Sequence, residues 1–177
     1  MVTIERLARD RAAEAALIEH LTGLENRAYE LAEVGLWLKG VARTNVSEMR
    51  QWVERGEMVL ALDGIAVVGA VRSIHRGDGS SWFGALAVDA SVGGQGVARA
   101  LVNHIEREAA NLGSKVMELE VLTTRSGHPH LRRLRAWYER LGYTETSRRN
   151  LQEVSPEEAP FMAVQIEAVV MHKQLAP

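Results

Sequence analysis

The sequence has no cysteine among its 177 residues, which excludes a disulfide framework, thiolate metal sites and a cysteine nucleophile. Its charge is nearly balanced, with a formal net charge of -2 at pH 7, so no strong field favours nucleic acid or an anionic membrane. No apolar run approaches the roughly 18 residues of a membrane span. The opening stretch "MVTIERLARDR" lacks the apolar middle of a secretory signal. These absences predict a cytoplasmic protein that binds neither nucleic acid nor membrane.

The residues that are present are typical of a water-soluble globular protein. Hydrophobic residues make up 46% of the chain and charged residues 25%. A chain of this length is long enough to bury one core of ordinary size. We therefore predict a single domain over residues 1–177.

The first third of the chain predicts one strand followed by two helices. Alternation in "VTIERL" indicates a strand, and apolar residues at helical spacing indicate a helix from Asp10 to about Tyr29. The segment from Glu33 to Arg43 carries two glycines and predicts a loop or a broken helix. Asn45 followed by Glu48 is typical of a capping box, so a second helix should begin there.

The remaining two thirds predict strands interrupted by two more helices. Asp63-Gly64 lies between two strand-like runs and is a strong hairpin signal. Apolar periodicity predicts one helix from Val97 to Gly113 and another from Pro129 to Gly142. The resulting order is β-α-α-β-β-β-α-β-α-β-β. It predicts an α/β fold with a mixed, mostly antiparallel sheet and helices on both faces.

Three glycines within four residues, Gly93, Gly94 and Gly96, join a strand to a helix. A dinucleotide-binding loop needs glycine where this chain has Arg99, and a P-loop needs a lysine that the turn lacks. The helix start carries unpaired N–H groups and the positive end of the macrodipole, and glycines allow an anion to approach them. The turn therefore predicts a diphosphate site, or else a tight connection that binds nothing.

The turn and its surroundings resemble the GNAT superfamily of N-acetyltransferases. The family motif is a strand reading Leu-x-Val and then Arg/Gln-x-x-Gly-x-Gly/Ala at a helix start, and this chain has Leu86-Ala87-Val88 and Gly93-Gly94-Gln95-Gly96-Val97-Ala98. Downstream, "AWYERLGY" is similar to the family segment Phe-Tyr-Glu-Lys-Leu-Gly-Phe. The chain departs from the family at Gly93, where Arg or Gln is usual, and at Leu131, where Asn is usual.

The resemblance implies acetyl-CoA as cosubstrate and no metal. The cosubstrate would lie where the Leu86–Val88 strand and the Val116–Leu122 strand separate, with its diphosphate on the backbone N–H groups of Gly94 to Ala98. The cofactor-binding residues predicted in this way are Leu86, Ala87, Val88, Gly93, Gly94, Gln95, Gly96, Val97 and Ala98.

The resemblance also implies Tyr138 as the proton donor to the departing thiolate. The alternative is a core tyrosine on the apolar stripe of its helix. For the base, Glu118 and Glu120 lie on one face of the strand "VMELEV", and Leu119-Glu120-Val121 resembles the Leu-Glu-Val of ribosomal-protein N-terminal acetyltransferases in the superfamily. We predict Glu120 as the base. The alternatives are an exposed or arginine-paired glutamate, and an ordered water in its place.

Other polar groups carry weaker signals. His128-Pro129-His130 has no cysteine or clear carboxylate partner to complete a metal site, so we predict none. Leu36-Trp37-Leu38 lines the acceptor pocket or packs in the core. A concentration of arginines near the last predicted helix is interpreted as a solvated face, without interleaved aromatics that would favour nucleic acid. It consists of Arg125, Arg132, Arg133, Arg135 and Arg140.

The sequence as a whole predicts an acetyl-CoA-dependent N-acetyltransferase that transfers acetyl directly to a primary amine. The acceptor is left open among a peptide N-terminus, a polyamine, an amino acid and an aminoglycoside, and a homodimer is a further expectation. The alternatives are a catalytically inactive acyl-CoA-binding or sensing module, favoured by the departures at Gly93 and Leu131, and an interaction protein that has lost the cofactor.

Overall fold

The computed structural model describes residues 2–176, and that part of the chain contains seven strands in one open mixed sheet. The strands are β1 (Val2–Arg6), β2 (Met58–Asp63), β3 (Ala66–His75), β4 (Ser80–Val88), β5 (Val116–Thr124), β6 (Thr144–Asn150) and β7 (Ile166–Gln174). Their spatial order is β1-β2-β3-β4-β5-β7-β6. Every neighbouring pair is antiparallel except β4 and β5, which are parallel. The predicted mixed, mostly antiparallel sheet is confirmed.

The helices within residues 2–176 are α1 (Ala15–Ala32), α2 (Val46–Glu54), α3 (Val97–Asn111), α4 (Pro129–Arg140) and the short α5 (Leu151–Val154). The first helix begins later than predicted, because Arg9–Ala13 forms a separate 3-10 turn and Glu14 is extended. The cap at Asn45 is confirmed, since its side chain accepts the Glu48 N–H. The Glu48 carboxylate instead accepts the Thr44 hydroxyl at 3.1 Å, so the reciprocal half of the capping box was predicted wrongly.

Helices cover both faces of the sheet, as predicted, and each face has its own core. In β2, Val59 and Ala61 belong to the core that also contains residues of α3 and α4, whereas Met58 and Leu60 belong to the core that contains residues of α1 and α2. The alternation follows from the two-residue period of a strand, and all four side chains are buried. The two helix layers are therefore held on opposite sides of the same strands.

β4 and β5 separate along their length, and this separation creates the main cleft of the molecule. Their parallel pairing covers only Ser80–Trp82 and Val116–Glu118. Beyond it, β4 stays with β3 while β5 stays with β7 to Thr124. A bulge in β4 accompanies the separation: the register moves from Ala70↔Ala87 to Arg72↔Gly84. Ala85 in this bulge has a φ of 50°, the left-handed region that a non-glycine residue rarely adopts.

Gly69 on β3 lets α3 lie close to the sheet. A Cβ atom at this position would be 3.2 Å from Cδ1 of Leu101, 3.2 Å from Cγ1 of Val97 and 3.3 Å from the Ala87 carbonyl oxygen. Leu101 and Val97 belong to α3, so the glycine sets the distance between that helix and β3.

We expect Gly69→Val to lower the free energy of unfolding by about 2 kcal/mol, because the added methyl groups overpack the contact with α3. Urea unfolding measures this change. Ala66→Val, on an exposed position of the same strand, is the control and should change stability by much less. Equal stability of the two variants would contradict the close approach at Gly69.

Candidate active site

The separated ends of β4 and β5 enclose a cleft of about 820 Å³. α1 and α4 contribute to its walls along with the two strands. Residues predicted to bind the cofactor and residues predicted to be catalytic both line it. Leu86, Val88 and Ala98 belong to the first group, and Glu120 and Tyr138 belong to the second. The fold thus brings sequence-distant candidates into one cavity.

The glycine turn lies at one end of this cleft, between β4 and α3. Gly94 has a φ of 76° and Gly96 a φ of 82°, and a Cβ atom added at either would meet nothing within 4 Å. Gly93 has an ordinary φ of -56°. The first intrahelical bond of α3 runs from the Ala100 N–H to the Gly96 carbonyl at 2.9 Å. The N–H groups of Val97, Ala98 and Arg99 therefore have no acceptor within the helix, whereas the Gln95 N–H donates to the Val92 carbonyl at 3.3 Å.

The predicted cofactor residues divide into three kinds by their surroundings. Gly93, Gly94, Gln95 and Gly96 are exposed, and Leu86, Val88 and Ala98 line the cleft. The side chains of Ala87 and Val97 are buried in the two cores. These two residues can therefore offer a ligand only their backbone groups.

Tyr138 projects from α4 into the cleft and is 6% exposed. Its ring packs against Phe83, Trp137 and Tyr143, with centroid distances of 5.9, 4.9 and 5.8 Å. Burial raises the pKa of the Tyr138 phenol well above its usual value. The hydroxyl therefore keeps its proton at neutral pH, which a proton donor requires.

Glu120 lines the same cleft and faces away from Met117, Leu119 and Val121, as the strand pattern predicts. Its carboxylate forms an ion pair with Arg149 of β6. This contact corresponds to the arginine-paired alternative for Glu120. The carboxylate is thus both at the cleft and already provided with a cation.

Sequence reasoning missed an acidic group at the other end of the cleft, Glu25 of α1. Glu25 is only 6% exposed, and its Oε2 atom has no hydrogen-bond partner anywhere in residues 2–176. Burial raises its pKa to about 7, against the opposing effect of Arg43. A signal was present in the sequence, because Glu25 lies on the apolar stripe of α1 between Leu21 and Ala28.

Aromatic side chains surround this acidic end of the cleft. Trp52 of α2 and Trp82 of β4 line it, and the Arg72 guanidinium lies 4.6 and 5.7 Å from their ring centroids. Trp82 folds back over Gly84, where a Cβ atom would collide with the indole. The absence of a side chain at Gly84 therefore holds Trp82 in the cleft wall.

Both arginines at this end have acidic partners. Arg72 Nε lies 2.7 Å from Oε2 of Glu57, and Arg43 Nε lies 3.1 Å from Oε2 of Glu33. The second pair is at ion-pair distance without hydrogen-bond alignment. Burial raises the pKa of Glu33, opposed by Arg43 and by the Trp37 N–H, which donates at 2.5 Å.

The segment Leu36-Trp37-Leu38 does not line the cleft. Leu36 is buried in a small core with Leu131 and Leu151, which corresponds to the core-packing alternative. Trp37 stacks under the Arg43 guanidinium at 4.2 Å and donates a hydrogen bond to Glu33.

The remaining weak signals have structural surroundings of their own. His128 caps α4, with Nδ1 accepting the Leu131 N–H at 3.5 Å and Nε2 lying 3.0 Å from the Val34 carbonyl oxygen. Within residues 2–176 no group of three or more His, Asp or Glu side chains is placed to hold a metal ion. None of the helices in the same range is long and apolar enough to cross a membrane.

Residues 54–145 match the sequence profile of the family described as "Acetyltransferase (GNAT) domain", and the match spans just over half of the chain. The chain belongs to the GNAT acetyltransferase family, and the predicted family and its enzyme class, N-acetyltransferase, are confirmed. Comparison with curated protein sequences gives no significant match.

Solved structures of the same fold cover nearly all of this chain. An aminoglycoside 6'-N-acetyltransferase complexed with coenzyme A is 18% identical, with a TM-score of 0.72 and coverage of 99% of this chain and 98% of that one. The ribosomal-protein-S18-alanine N-acetyltransferase from Escherichia coli is also 18% identical, with a TM-score of 0.68 and coverage of 100% and 96%. N-acetylglutamate synthase from Neisseria gonorrhoeae, complexed with coenzyme A and N-acetyl-glutamate, is 15% identical, with a TM-score of 0.64 and coverage of 100% and 36%.

The buried Glu25 carboxyl makes stability depend on pH. Its pKa rises on folding from 4.5 to about 7, so the native state binds a proton that the unfolded state has lost between these values. Stability therefore falls as pH rises through this window and stays lower above it. We expect Glu25→Gln to be more stable than the wild type by about 3 kcal/mol at pH 8.

Urea unfolding at pH 4 and pH 8 measures this difference, which should nearly vanish at pH 4, where both side chains are neutral. Glu30→Gln, an exposed position on the same helix, is the matched control. A Glu25→Gln variant less stable than the wild type at pH 8 would mean that the carboxylate is stabilised by partners in the folded protein.

Proposed function

We propose that the protein is an acetyl-CoA-dependent N-acetyltransferase that transfers acetyl directly to a primary amine within a ternary complex. The observation that carries this proposal is the single cleft between β4 and β5. At one end it has the N–H groups of the first turn of α3. At the other end it has the buried Glu25 carboxyl, whose Oε2 has no hydrogen-bond partner within residues 2–176. The first end suits an anionic carrier and the second suits a cationic acceptor. Family membership supports the same reaction.

Acetyl-CoA supplies the activated acetyl group as a thioester. Of the N–H groups from Gly94 to Ala98, that of Gln95 already donates to the Val92 carbonyl at 3.3 Å. The other four would hold the diphosphate, because they lie at a helix N-terminus beside glycines without side chains. Leu86 and Val88 would form the wall beside its pantetheine arm. The open space at both positive-φ glycines supports this placement.

Tyr138 is the proposed proton donor to the sulfur, because its hydroxyl is protonated, buried and at the cleft. Glu120 stays the predicted base, acting directly or through an ordered water. Its ion pair with Arg149 would orient the carboxylate, and it engages one of the two carboxylate oxygens.

A second candidate function is an acyl-CoA-binding module without turnover. Leu131, where the family usually has Asn, is buried beside Leu36 and Leu151 and offers no polar contact. Release of free thiol from acetyl-CoA with a panel of amines separates the two functions, since a binding module would show affinity without release. A cytoplasmic location and a homodimer stay predictions of the sequence.

We expect Gly96→Val to weaken acetyl-CoA binding at least about tenfold, because the side chain would occupy the open space at the helix end. Isothermal titration calorimetry measures the affinity. Gly79→Val is the control, since Gly79 has a similar φ of 86° in the β3–β4 turn, also with nothing within 4 Å. The two variants should lose similar stability, so equal affinity for acetyl-CoA would show that the diphosphate binds elsewhere.

We expect Tyr138→Phe to lower kcat about 100-fold while leaving acetyl-CoA affinity nearly unchanged, because it removes only the proton donor. Tyr143→Phe is the control: this hydroxyl donates to Glu106 at 2.7 Å and lies outside the cleft. Steady-state thiol release measures both. A kcat for Tyr138→Phe equal to that of the control would remove Tyr138 from the mechanism.

A further inference from the structure

Glu25 is an unusual group because it is a buried, titratable carboxyl without a salt-bridge partner in residues 2–176. Oε2 has neither a solvent contact nor a hydrogen-bond partner within residues 2–176, although the side chain lines the cleft. An ionised carboxylate in such a place costs several kcal/mol unless something compensates it. A ligand that brings a positive charge to this end of the cleft would supply the missing partner.

The charged residues around Glu25 indicate the sign of the ligand's charge. Arg72 is paired with Glu57, and Arg43 lies between Glu33 and Glu158, at 3.1 and 3.5 Å. Both cations at this end are therefore already matched by acidic groups. The remaining charge is negative, which favours an ammonium group and disfavours a carboxylate.

The walls of the cleft next to Glu25 indicate the chemical character of the rest of the ligand. Trp52, Trp82 and Tyr29 line this part of the cleft, and Leu31 lies at its mouth with 70% of its surface exposed. Aromatic and aliphatic walls bind an apolar body through buried area and attract a cation through their π faces. Arg72 covers the two indoles from one side, so an apolar ligand would meet their remaining surfaces.

We propose that this end of the cleft binds a primary amine on an aromatic or aliphatic body without a carboxylate, and that Glu25 binds its ammonium group. The inference rests on the proposed function, because it assigns the acceptor of the same acetyl transfer. The inference disfavours free amino acids as acceptors, because Glu25 and Glu33 would repel their carboxylate. Arg43 and Arg72, the two arginines at this end, are already paired with glutamates and would offset little of that repulsion.

The same carboxylate would take the proton that the ammonium must lose, so this inference makes Glu25 the base in place of Glu120. One proton passes from nitrogen to Glu25, and the amine then forms the C–N bond while the C–S bond breaks. The Tyr138 hydroxyl gives its proton to the coenzyme A thiolate. The acetylated nitrogen then loses a second proton, which returns to the Tyr138 oxygen. A carboxyl group with a pKa of about 7 suits this exchange near neutral pH.

Charged and titratable groups face Glu25 from each neighbouring segment. Arg43 and Glu33 come from the loop after α1, Glu48 from α2, Arg72 from β3 and Tyr29 from α1 itself. The two acidic groups raise the pKa of Glu25 and the two arginines lower it, with burial having the largest effect. Ionisation of Glu25 should therefore appear as an acidic limb near pH 7 in the dependence of kcat/KM on pH.

The test compares phenethylamine with L-phenylalanine, which differ by one carboxylate, and with L-phenylalaninamide, which replaces that charge by a neutral group of similar size. Thiol release gives kcat/KM for each amine. We expect phenethylamine to exceed phenylalanine at least about tenfold, with phenylalaninamide close to phenethylamine. Equal or better use of phenylalanine overturns the inference.

Glu25→Gln should lower kcat/KM for phenethylamine at least about 30-fold and remove the acidic limb, because it leaves the ammonium without its counter-charge. Its affinity for acetyl-CoA should not change, and Glu30→Gln should behave as the wild type. A Glu25→Gln variant with normal kcat/KM overturns the inference. The inference is also overturned if the acidic limb persists in Glu25→Gln and disappears in Glu120→Gln.

Acetyl-CoA titration separates failure of this inference from failure of the proposed function. If the wild type binds acetyl-CoA and acetylates phenylalanine but not phenethylamine, only the acceptor assignment fails. If it binds no acetyl-CoA and releases no thiol with any of the three amines, the proposed function fails together with the inference.

Discussion

The separation of β4 from β5 is the constraint on which the site depends. The two strands pair over three residues each, and the bulge containing Ala85 then turns β4 away while β7 keeps β5 in place. Because two diverging strands leave a gap that neither can fill, the sheet itself contains the cleft. α1 and α3 both pack against β4, so the proposed diphosphate site and the proposed ammonium site are fixed relative to each other.

The acidic end of the cleft lowers the stability of the folded protein near and above neutral pH. Glu25 would be less costly as an apolar residue, since its neighbours Leu21 and Leu24 belong to a well-packed core. Retention of a charge in such a place is typical of a site whose ligand provides the compensation. The arginines nearby are themselves paired, so Glu33 and Glu57 weaken the compensation that Arg43 and Arg72 give to Glu25.

Local signals predicted most of the fold. Asp63-Gly64 forms a hairpin because adjacent strands need a residue that adopts positive φ, and Gly64 has a φ of 62°. Asn45 begins α2 because its side chain satisfies an N–H that the helix cannot. The start of α1 was predicted less well, because helical periodicity does not reveal that Arg9–Ala13 winds as a separate 3-10 turn.

What the sequence determined by itself was local: the order of strands and helices, the glycine turn between β4 and α3, and the motifs of the acetyltransferase family. What only the tertiary structure decided was which charged groups have partners. Arg149 reaches Glu120 from a strand that is distant in sequence, and no residue in the described range reaches Glu25 Oε2 with a hydrogen bond. Pairing and desolvation depend on distances through space, which residue spacing along the chain does not contain. The acidic acceptor end therefore emerged only when the helices were placed on the sheet.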